Sequence, residues 1–175
     1  MATDAGRPAA SYAFRLLDQQ DFPLLARWLR QPHVARWWSP AEDALAEIAQ
    51  ALAEPQVQPY IVLIDGREAG YIQRYDPHAE DGHPYTDQPV GTVGIDQFIG
   101  EPDLVGRGHG PAFIARFVEQ CAALGASFVV TDPDPSNAVA IRAYEKAGFR
   151  GIDQRNTPFG DVLLMRRNAG RTLSS

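Results

Sequence analysis

The sequence is poor in the residues that most readily form cross-links or hold metals. Cys121 is the single cysteine in 175 residues, which excludes an intramolecular disulfide and a site with several cysteine ligands. Its neighbours are apolar, so we expect a small buried residue rather than a nucleophile. The four histidines lack the spacing of metal ligands. No metal is therefore expected.

Long apolar runs and an excess of positive charge are also missing. No run approaches the roughly 20 residues of a membrane helix, and no signal-peptide core precedes the first predicted helix, so we expect a cytoplasmic protein. Asp and Glu outnumber Lys and Arg by 22 to 16, giving a formal net charge of -6. This balance argues against a nucleic-acid or membrane partner and favours a cationic ligand.

The length and the pattern of the chain indicate one mixed α/β domain. Segments typical of strands and helices alternate without a repeat or a low-complexity block. Residues 1–10 are expected to form a flexible leader, residues 11–168 the domain, and residues 169–175 a flexible tail. Asp65-Gly66 between two apolar runs predicts a β-hairpin. Residues 76–89 are rich in Pro, Gly, His and Asp and predict a long surface loop.

The clearest chemical pattern lies in residues 91–112. An alternating apolar run around Asp96 predicts a strand, and Pro111 is expected at the first position of the helix that follows. The loop between them carries three glycines, Gly106, Gly108 and Gly110. Glycines let a backbone approach a ligand, and the free amides of a helix N-terminus bind phosphate. A plain tight turn is the alternative, because the spacing matches neither the dinucleotide fingerprint nor a P-loop.

Together with residues 131–149, this segment resembles the GNAT superfamily of N-acetyltransferases. The second signature of that family is matched at five positions, Asn137, Ala140, Tyr144, Gly148 and Phe149. In the family the glycine loop holds the pyrophosphate of acetyl-CoA. Here Val105 stands where Arg or Gln is usual, so only backbone contacts are implied. The resemblance implies a central mixed, largely antiparallel twisted sheet, flanked by helices and splayed between the strands that end near Asp96 and Asp132.

Within the superfamily the chain is most similar to the aminoglycoside 6'-N-acetyltransferases. The shared motifs span nearly the whole chain, and they include Trp37-Trp38, Pro59-Tyr60-Ile61, Asp81-Gly82, Gly94-Ile95-Asp96-Gln97 and Thr131-Asp132-Pro133. The resemblance implies acetyl-CoA as cofactor and a small polycationic amine as partner. The implied reaction is acetylation of the 6'-amino group of an aminoglycoside antibiotic.

The resemblance also implies roles for individual residues. Asp96 is the implied general base, with anchoring of an ammonium group as the alternative. Tyr144 is the implied general acid for the thiolate, with packing beside the cofactor as the alternative. The residues implied to contact acetyl-CoA are Gln97, Phe98, Val105, Arg107, Gly108, His109, Gly110, Ala112, Asn137 and Tyr144. Those implied to contact the substrate are Trp38, Tyr60, Gln73, Tyr75, Asp81, Asp96 and Asp132.

Two departures from the aminoglycoside enzymes leave the range of substrates open. Phe159 stands where an acid often precedes the glycine of the late hairpin, and His83-Pro84-Tyr85 replace tryptophans. Acylation of a hydroxylysine-type siderophore precursor, or of another small amine, is one alternative function. The siderophore branch tends to place a histidine at the position of Asp96, which argues against it. Non-catalytic acyl-CoA binding is the other alternative, and the presence of Asp96 and Tyr144 argues against it. Both a monomer and a homodimer fit the sequence.

Overall fold

A seven-stranded mixed sheet forms the centre of residues 8–170, the part of the chain that the structure, a computed structural model, describes. In chain order the strands are β1 Tyr12–Leu16, β2 Val57–Ile64, β3 Arg67–Tyr75, β4 Thr92–Ile99, β5 Phe128–Thr131, β6 Arg150–Thr157 and β7 Gly160–Asn168. Their order in the sheet is β1-β2-β3-β4-β5-β7-β6. Every neighbouring pair is antiparallel except β4 and β5.

Helices cover both faces of this sheet. They are α1 Phe22–Leu29, α2 Pro32–Ala35, α3 Ala41–Ala53, α4 His109–Ala123 and α5 Ala138–Lys146, with short 3-10 turns at Gln19–Asp21, Pro77–Ala79 and Pro102–Leu104. One core lies beneath α4 and α5, where Phe113 and Phe117 are fully buried. A second core lies beneath α1 and α3 around Trp28 and Tyr71. The sheet is therefore anchored from both sides, as a mixed α/β domain requires.

The β2–β3 hairpin is the one that the sequence predicts. Asp65 and Gly66 connect the strands with φ of 50° and 78°, and positive φ at both central residues is typical of a two-residue hairpin turn.

The parallel strands β4 and β5 separate soon after they pair. Their pairing covers only Thr92 to Gly94 on β4 and Phe128 to Val130 on β5. Beyond it, the Thr131 hydroxyl still donates to the Ile95 carbonyl at 3.3 Å. Asp96 and Asp132 follow directly, each past the end of the paired region. The splayed sheet implied by the family resemblance is confirmed.

Helix α4 begins two residues earlier than the sequence predicts. Gly108, with φ of 83°, precedes its first residue His109, so Pro111 is the third helical residue and not the first. The prediction was wrong because proline is tolerated anywhere in the first turn, where no N–H has an acceptor within the helix.

The ends of the chain are only partly described. Most of the expected leader and tail, residues 1–7 and 171–175, lies outside the described residues. Ala169, which we placed in the tail, is buried, and its N–H donates to the Ser127 carbonyl at 3.0 Å. The division into leader, domain and tail stays a prediction. None of the helices in residues 8–170 is both long and apolar enough to cross a membrane.

Candidate active site

A cleft of about 530 Å³ opens where β4 and β5 separate. Its walls come from α3 and the segment before it, from the start of β2, from β3 and β4, from the loop after β3, from the connection between β5 and α5 and α5 itself, and from the β6–β7 hairpin. The widening follows from the topology, because two strands that stop pairing leave a gap between their side chains.

The cleft is strongly acidic. Eight carboxylic acids line it, namely Glu47, Glu54, Asp76, Glu80, Asp96, Asp132, Asp134 and Asp161. Among the described residues that line it, none is Lys or Arg. A pocket lined by one sign of charge attracts ligands of the opposite sign.

Asp96 projects from β4 into this cleft and is held by a short relay. The Tyr71 hydroxyl donates to Gln73 Oε1 at 2.5 Å, which fixes the amide so that Gln73 Nε2 donates to Asp96 Oδ2 at 2.9 Å. Burial raises the pKa of Asp96, while the hydrogen bond from Gln73 acts in the opposite direction. A carboxylate with a raised pKa is a better proton acceptor than an ordinary one.

Asp132 lies just after β5 and shares the cleft with Asp96. The Tyr85 hydroxyl donates to Asp132 Oδ2 at 2.5 Å. Burial, followed by the charge of Asp96, raises the pKa of Asp132 to about 7. Near neutral pH the Asp132 carboxyl is therefore present in both its protonated and its charged form. A cation in the cleft would favour the charged form.

Tyr144, on helix α5, places its phenol in the same cleft. It is 4% exposed, packs edge-on against Phe149, and its hydroxyl accepts a hydrogen bond from Gln97 Nε2 at 3.4 Å. Burial raises the pKa of Tyr144 to about 12, so the phenol is protonated at neutral pH. Asn137 begins this helix, and its side chain accepts from the Ala140 N–H at 3.1 Å.

Aromatic side chains form one side of the cleft. Trp38 is half-buried and packs edge-on against Phe98, with ring centroids 5.0 Å apart. The Tyr75 ring lies over Gly94 so closely that a Cβ at Gly94 would be 2.0 Å from it. Gly94 in the strand motif is therefore needed to let Tyr75 reach the cleft.

The glycine loop leaves the N-terminus of α4 open. Gly106 and Gly108 have positive φ, and a Cβ on either would meet nothing within 4 Å. No described side chain caps the first turn, while the Tyr12 hydroxyl and His109 Nδ1 lie 2.9 Å apart. Free amides at the positive end of a long helix, bordered by glycines, fit a pyrophosphate. Val105 and Arg107 are exposed beside this turn, and Gly110 and Ala112 are half-buried within it.

The structure brings most of the predicted site residues together, but not all of them. The predicted residues that line the cleft are Trp38, Gln73, Tyr75, Asp96, Gln97, Asp132, Asn137 and Tyr144. Tyr60 instead faces the core under α4, 7% exposed, with its ring 5.4 Å from that of Phe117. Asp81 is exposed in the loop and is not among the lining residues. The Phe98 side chain is buried against Tyr71, which leaves only its backbone for a ligand.

Several residues of the cleft are not predicted from the sequence. His83 comes from the loop after β3, and Tyr85 lies buried just behind the cleft, within hydrogen-bond distance of Asp132; we noted both only as replacements for tryptophans. Glu47 and Glu54 come from the region of α3, where an acidic residue is ordinarily a solvated one. Nothing in the local sequence separates these acids from other surface acids.

Comparisons with known proteins agree with this geometry. Residues 18–157 match the family model of the acetyltransferase (GNAT) domain. An aminoglycoside N(6')-acetyltransferase type 1 of Klebsiella pneumoniae is 34% identical over 164 residues, which cover 89% of this chain and 82% of that protein. An N-hydroxyputrescine acetyltransferase of Acinetobacter baumannii is 31% identical over 166 residues, which cover 91% of this chain and 75% of that protein.

The fold agrees as well. The structure of AAC(6')-Ib in complex with paromomycin and acetyl-CoA superposes with a TM-score of 0.82 at 32% identity, over 90% of this chain and 93% of that one. Because the family model and these relatives each cover most of the sequence, the chain belongs to the GNAT family of acetyl-CoA-dependent N-acetyltransferases.

Proposed function

We propose that this enzyme transfers the acetyl group of acetyl-CoA to the 6'-amino group of an aminoglycoside. The observation that carries the proposal is the cleft with eight carboxylic acids and, among its described lining, no basic residue. An aminoglycoside has several ammonium groups, so it complements such a cleft in charge. The 34% identity to the Klebsiella enzyme supports the same substrate class.

The cofactor would bind at the open end of α4. Backbone amides from Val105 to Ala112 would hold the pyrophosphate, with Arg107 and His109 beside it. Gln97, Phe98 and Asn137 would hold the pantetheine arm, the first two through the part of β4 that has left β5. When bound, acetyl-CoA supplies the acetyl group as a thioester.

Asp96 and Tyr144 would handle the two protons of the reaction. A substrate amine with a pKa near 9 must lose a proton before it attacks, which costs about 2.7 kcal/mol at pH 7. Asp96 would accept this proton, directly or through a water molecule, because burial raises its pKa. Tyr144 would donate its phenolic proton to the departing thiolate sulfur. Anchoring of the ammonium group is the alternative role for Asp96.

Asp132 would bind a substrate ammonium group, and the aromatic side would take the sugar rings. Trp38, Tyr75 and Gln73 line the cleft beside Asp96 and would fix the orientation of the substrate. Contacts by Tyr60 and Asp81 stay predictions from the sequence. A cytoplasmic location and a monomeric or homodimeric state also stay predictions.

Acetylation of a siderophore-type diamine is the second candidate. It is supported by the 31% identity to the N-hydroxyputrescine acetyltransferase. A diamine presents at most two cationic groups, and eight carboxylic acids exceed what it can neutralise. The charge of the cleft therefore favours the aminoglycoside.

A thiol-release assay with acetyl-CoA tests both candidates. The amines to compare are kanamycin, gentamicin, N-hydroxyputrescine and spermidine, with NMR of the product to locate the new amide. We expect the highest kcat/KM with an aminoglycoside, and a decrease of this value as salt screens the acidic cleft. Preference for N-hydroxyputrescine would select the second candidate, and release of thiol with none of these amines would refute both.

Variants of the acids separate their roles. Asp96→Asn should lower kcat and retain acetyl-CoA binding, whereas Asp132→Asn should mainly raise the KM of the amine. Asp81→Asn tests the remaining sequence prediction. Asp81 is exposed and lies outside the cleft lining, so its replacement should raise the KM of the amine only if the loop moves onto the bound substrate. Full kcat in Asp96→Asn would exclude a base.

A further inference from the structure

Tyr85 is the one side chain within residues 8–170 that donates a hydrogen bond to Asp132. Its own side chain is 0% exposed and packs against Val130 and Leu164. The ring therefore cannot swing away, and the hydroxyl is held at a fixed point. The O–H···O distance of 2.5 Å is in the range of a charge-assisted hydrogen bond.

Arg155 on β6 fixes the loop that carries this tyrosine. It donates to the Pro84 carbonyl at 3.0 Å and forms two hydrogen bonds with the Asp87 carboxylate, at 3.0 and 2.8 Å. Its guanidinium carbon also lies 5.9 Å from the centre of the Tyr85 ring. The residues on both sides of Tyr85 are thus tied to the β6–β7 hairpin.

The groups that face Asp132 from the neighbouring elements do not supply a positive charge. Asp96 faces it from β4, Tyr75 from β3 and Tyr144 from α5. On β7, Arg166 is directed away, since it donates to Gln88 at 3.1 Å and lies over the Phe128 ring. Besides a backbone hydrogen bond at Asp132 itself, the Tyr85 hydroxyl is therefore the side-chain contact that favours the charged form of Asp132.

We propose that Tyr85 is a positioning residue for substrate binding, whose hydroxyl keeps the Asp132 carboxylate charged and oriented toward an ammonium group of the substrate. This inference rests on the proposed function, because it takes Asp132 as an ammonium anchor. It goes beyond the proposed function because it assigns control of the protonation of Asp132 to Tyr85, a buried residue outside the cleft lining. Burial and Asp96 favour a protonated Asp132, and Tyr85 opposes them.

Tyr85→Phe is the variant that tests this role, because it keeps the ring in its packing and removes only the hydroxyl. The pKa of Asp132 should rise by about one pH unit when a hydrogen bond to its charged form is lost. Titration of the Asp132 carboxyl carbon by NMR in the wild type and the variant measures this without any substrate. An unchanged midpoint would overturn the proposal.

The ratio of wild-type to variant kcat/KM is the second measurement. The ionisation of the substrate amine cancels in this ratio. We expect this ratio to be about ten near pH 5.5 and to fall to about one near pH 9, where Asp132 is charged in both proteins. A purely structural loss would give the same ratio at every pH and would refute the inference.

The Asp132→Asn background provides the matched control. If Tyr85 acts by keeping Asp132 charged, Tyr85→Phe should raise KM much less in this background than in the wild type, because asparagine carries no charge to preserve. Additive effects of the two substitutions would contradict the proposal. A wild type that acetylates no aminoglycoside would refute the proposed function instead, and the carboxyl titration would still decide the role of Tyr85.

Discussion

Asp132→Asn should make the ligand-free enzyme more stable at neutral pH while it weakens substrate binding. In the folded protein the pKa of Asp132 is raised from 3.8 to about 7, chiefly by burial. The folded state therefore holds a proton that the unfolded state releases between these two values. Stability falls as the pH rises through this window, and the full loss is present above pH 7.

The size of the effect follows from the pKa. A rise from 3.8 to about 7 is equivalent to at most about 4 kcal/mol of lost stability. The carboxyl borders an open cleft, and water there reduces this value, so we expect a gain of about 2 kcal/mol for Asp132→Asn near pH 8. For a chain of this size that corresponds to roughly 5 °C in Tm. Asparagine keeps an oxygen that can accept the hydrogen bond from Tyr85.

Urea unfolding at several pH values measures this effect. The difference in the free energy of unfolding should be small near pH 4 and reach its maximum above pH 7. Asp134→Asn is the matched control, because it removes a carboxylate from the same cleft. Hydrogen bonds from Ser136 lower the pKa of Asp134, so this control should lose stability at neutral pH instead. If Asp132→Asn gains nothing at pH 8, or gains equally at pH 4, the proposed origin of the raised pKa is wrong.

Three further variants address the cofactor, the proton donor and the substrate. Gly110→Asp should lower acetyl-CoA affinity at least about tenfold in calorimetry, because its carboxylate would face the pyrophosphate, although an acid in the first turn of α4 stabilises the helix itself. Gly110→Ala is the control, and equal affinities of the two variants would place the pyrophosphate elsewhere. Tyr144→Phe should lower kcat by roughly 10²-fold with little change in the KM of acetyl-CoA, and wild-type turnover would leave Tyr144 as a packing residue. Phe159 is 67% exposed at the cleft. Phe159→Asp should therefore add a negative charge that lowers the KM of a polycationic amine, at low salt only. An unchanged KM would show that the substrate does not reach the β6–β7 hairpin.

Much of the fold could be predicted from the sequence, because it depends on local patterns. The Asp65-Gly66 turn requires positive φ at both positions, and this restricts it to few residue types. The placement of Asp96 follows from the apolar run around it, which predicts β4, and that of Asp132 follows from the end of the apolar run before it, which predicts β5. Both acids lie just past the paired region of β4 and β5, so the family resemblance, which implies strands that splay there, could place them at one site.

The remaining site depends on contacts that local patterns do not determine. Residues 59–62 of β2 are all buried, so both faces of this strand are apolar and alternation does not show which face Tyr60 occupies. Tyr85 lies in an irregular loop, and Arg155, about seventy residues later, holds that loop beside Asp132. The start of α4 was misplaced because proline fits several positions of a first turn.

The acidic cleft is tolerated because the sheet around it is anchored from both faces. The pairing of β4 with β5 stops at Gly94, and from there the sheet gives up hydrogen bonds and packing between these strands. Cores under α1 and α3 on one face, and under α4 and α5 on the other, pack against the sheet from both sides. Burial of Asp96 and Asp132 then costs stability that these cores supply. A polycationic substrate would neutralise the acids and recover part of that cost, so the same charges that weaken the empty enzyme would strengthen its complex.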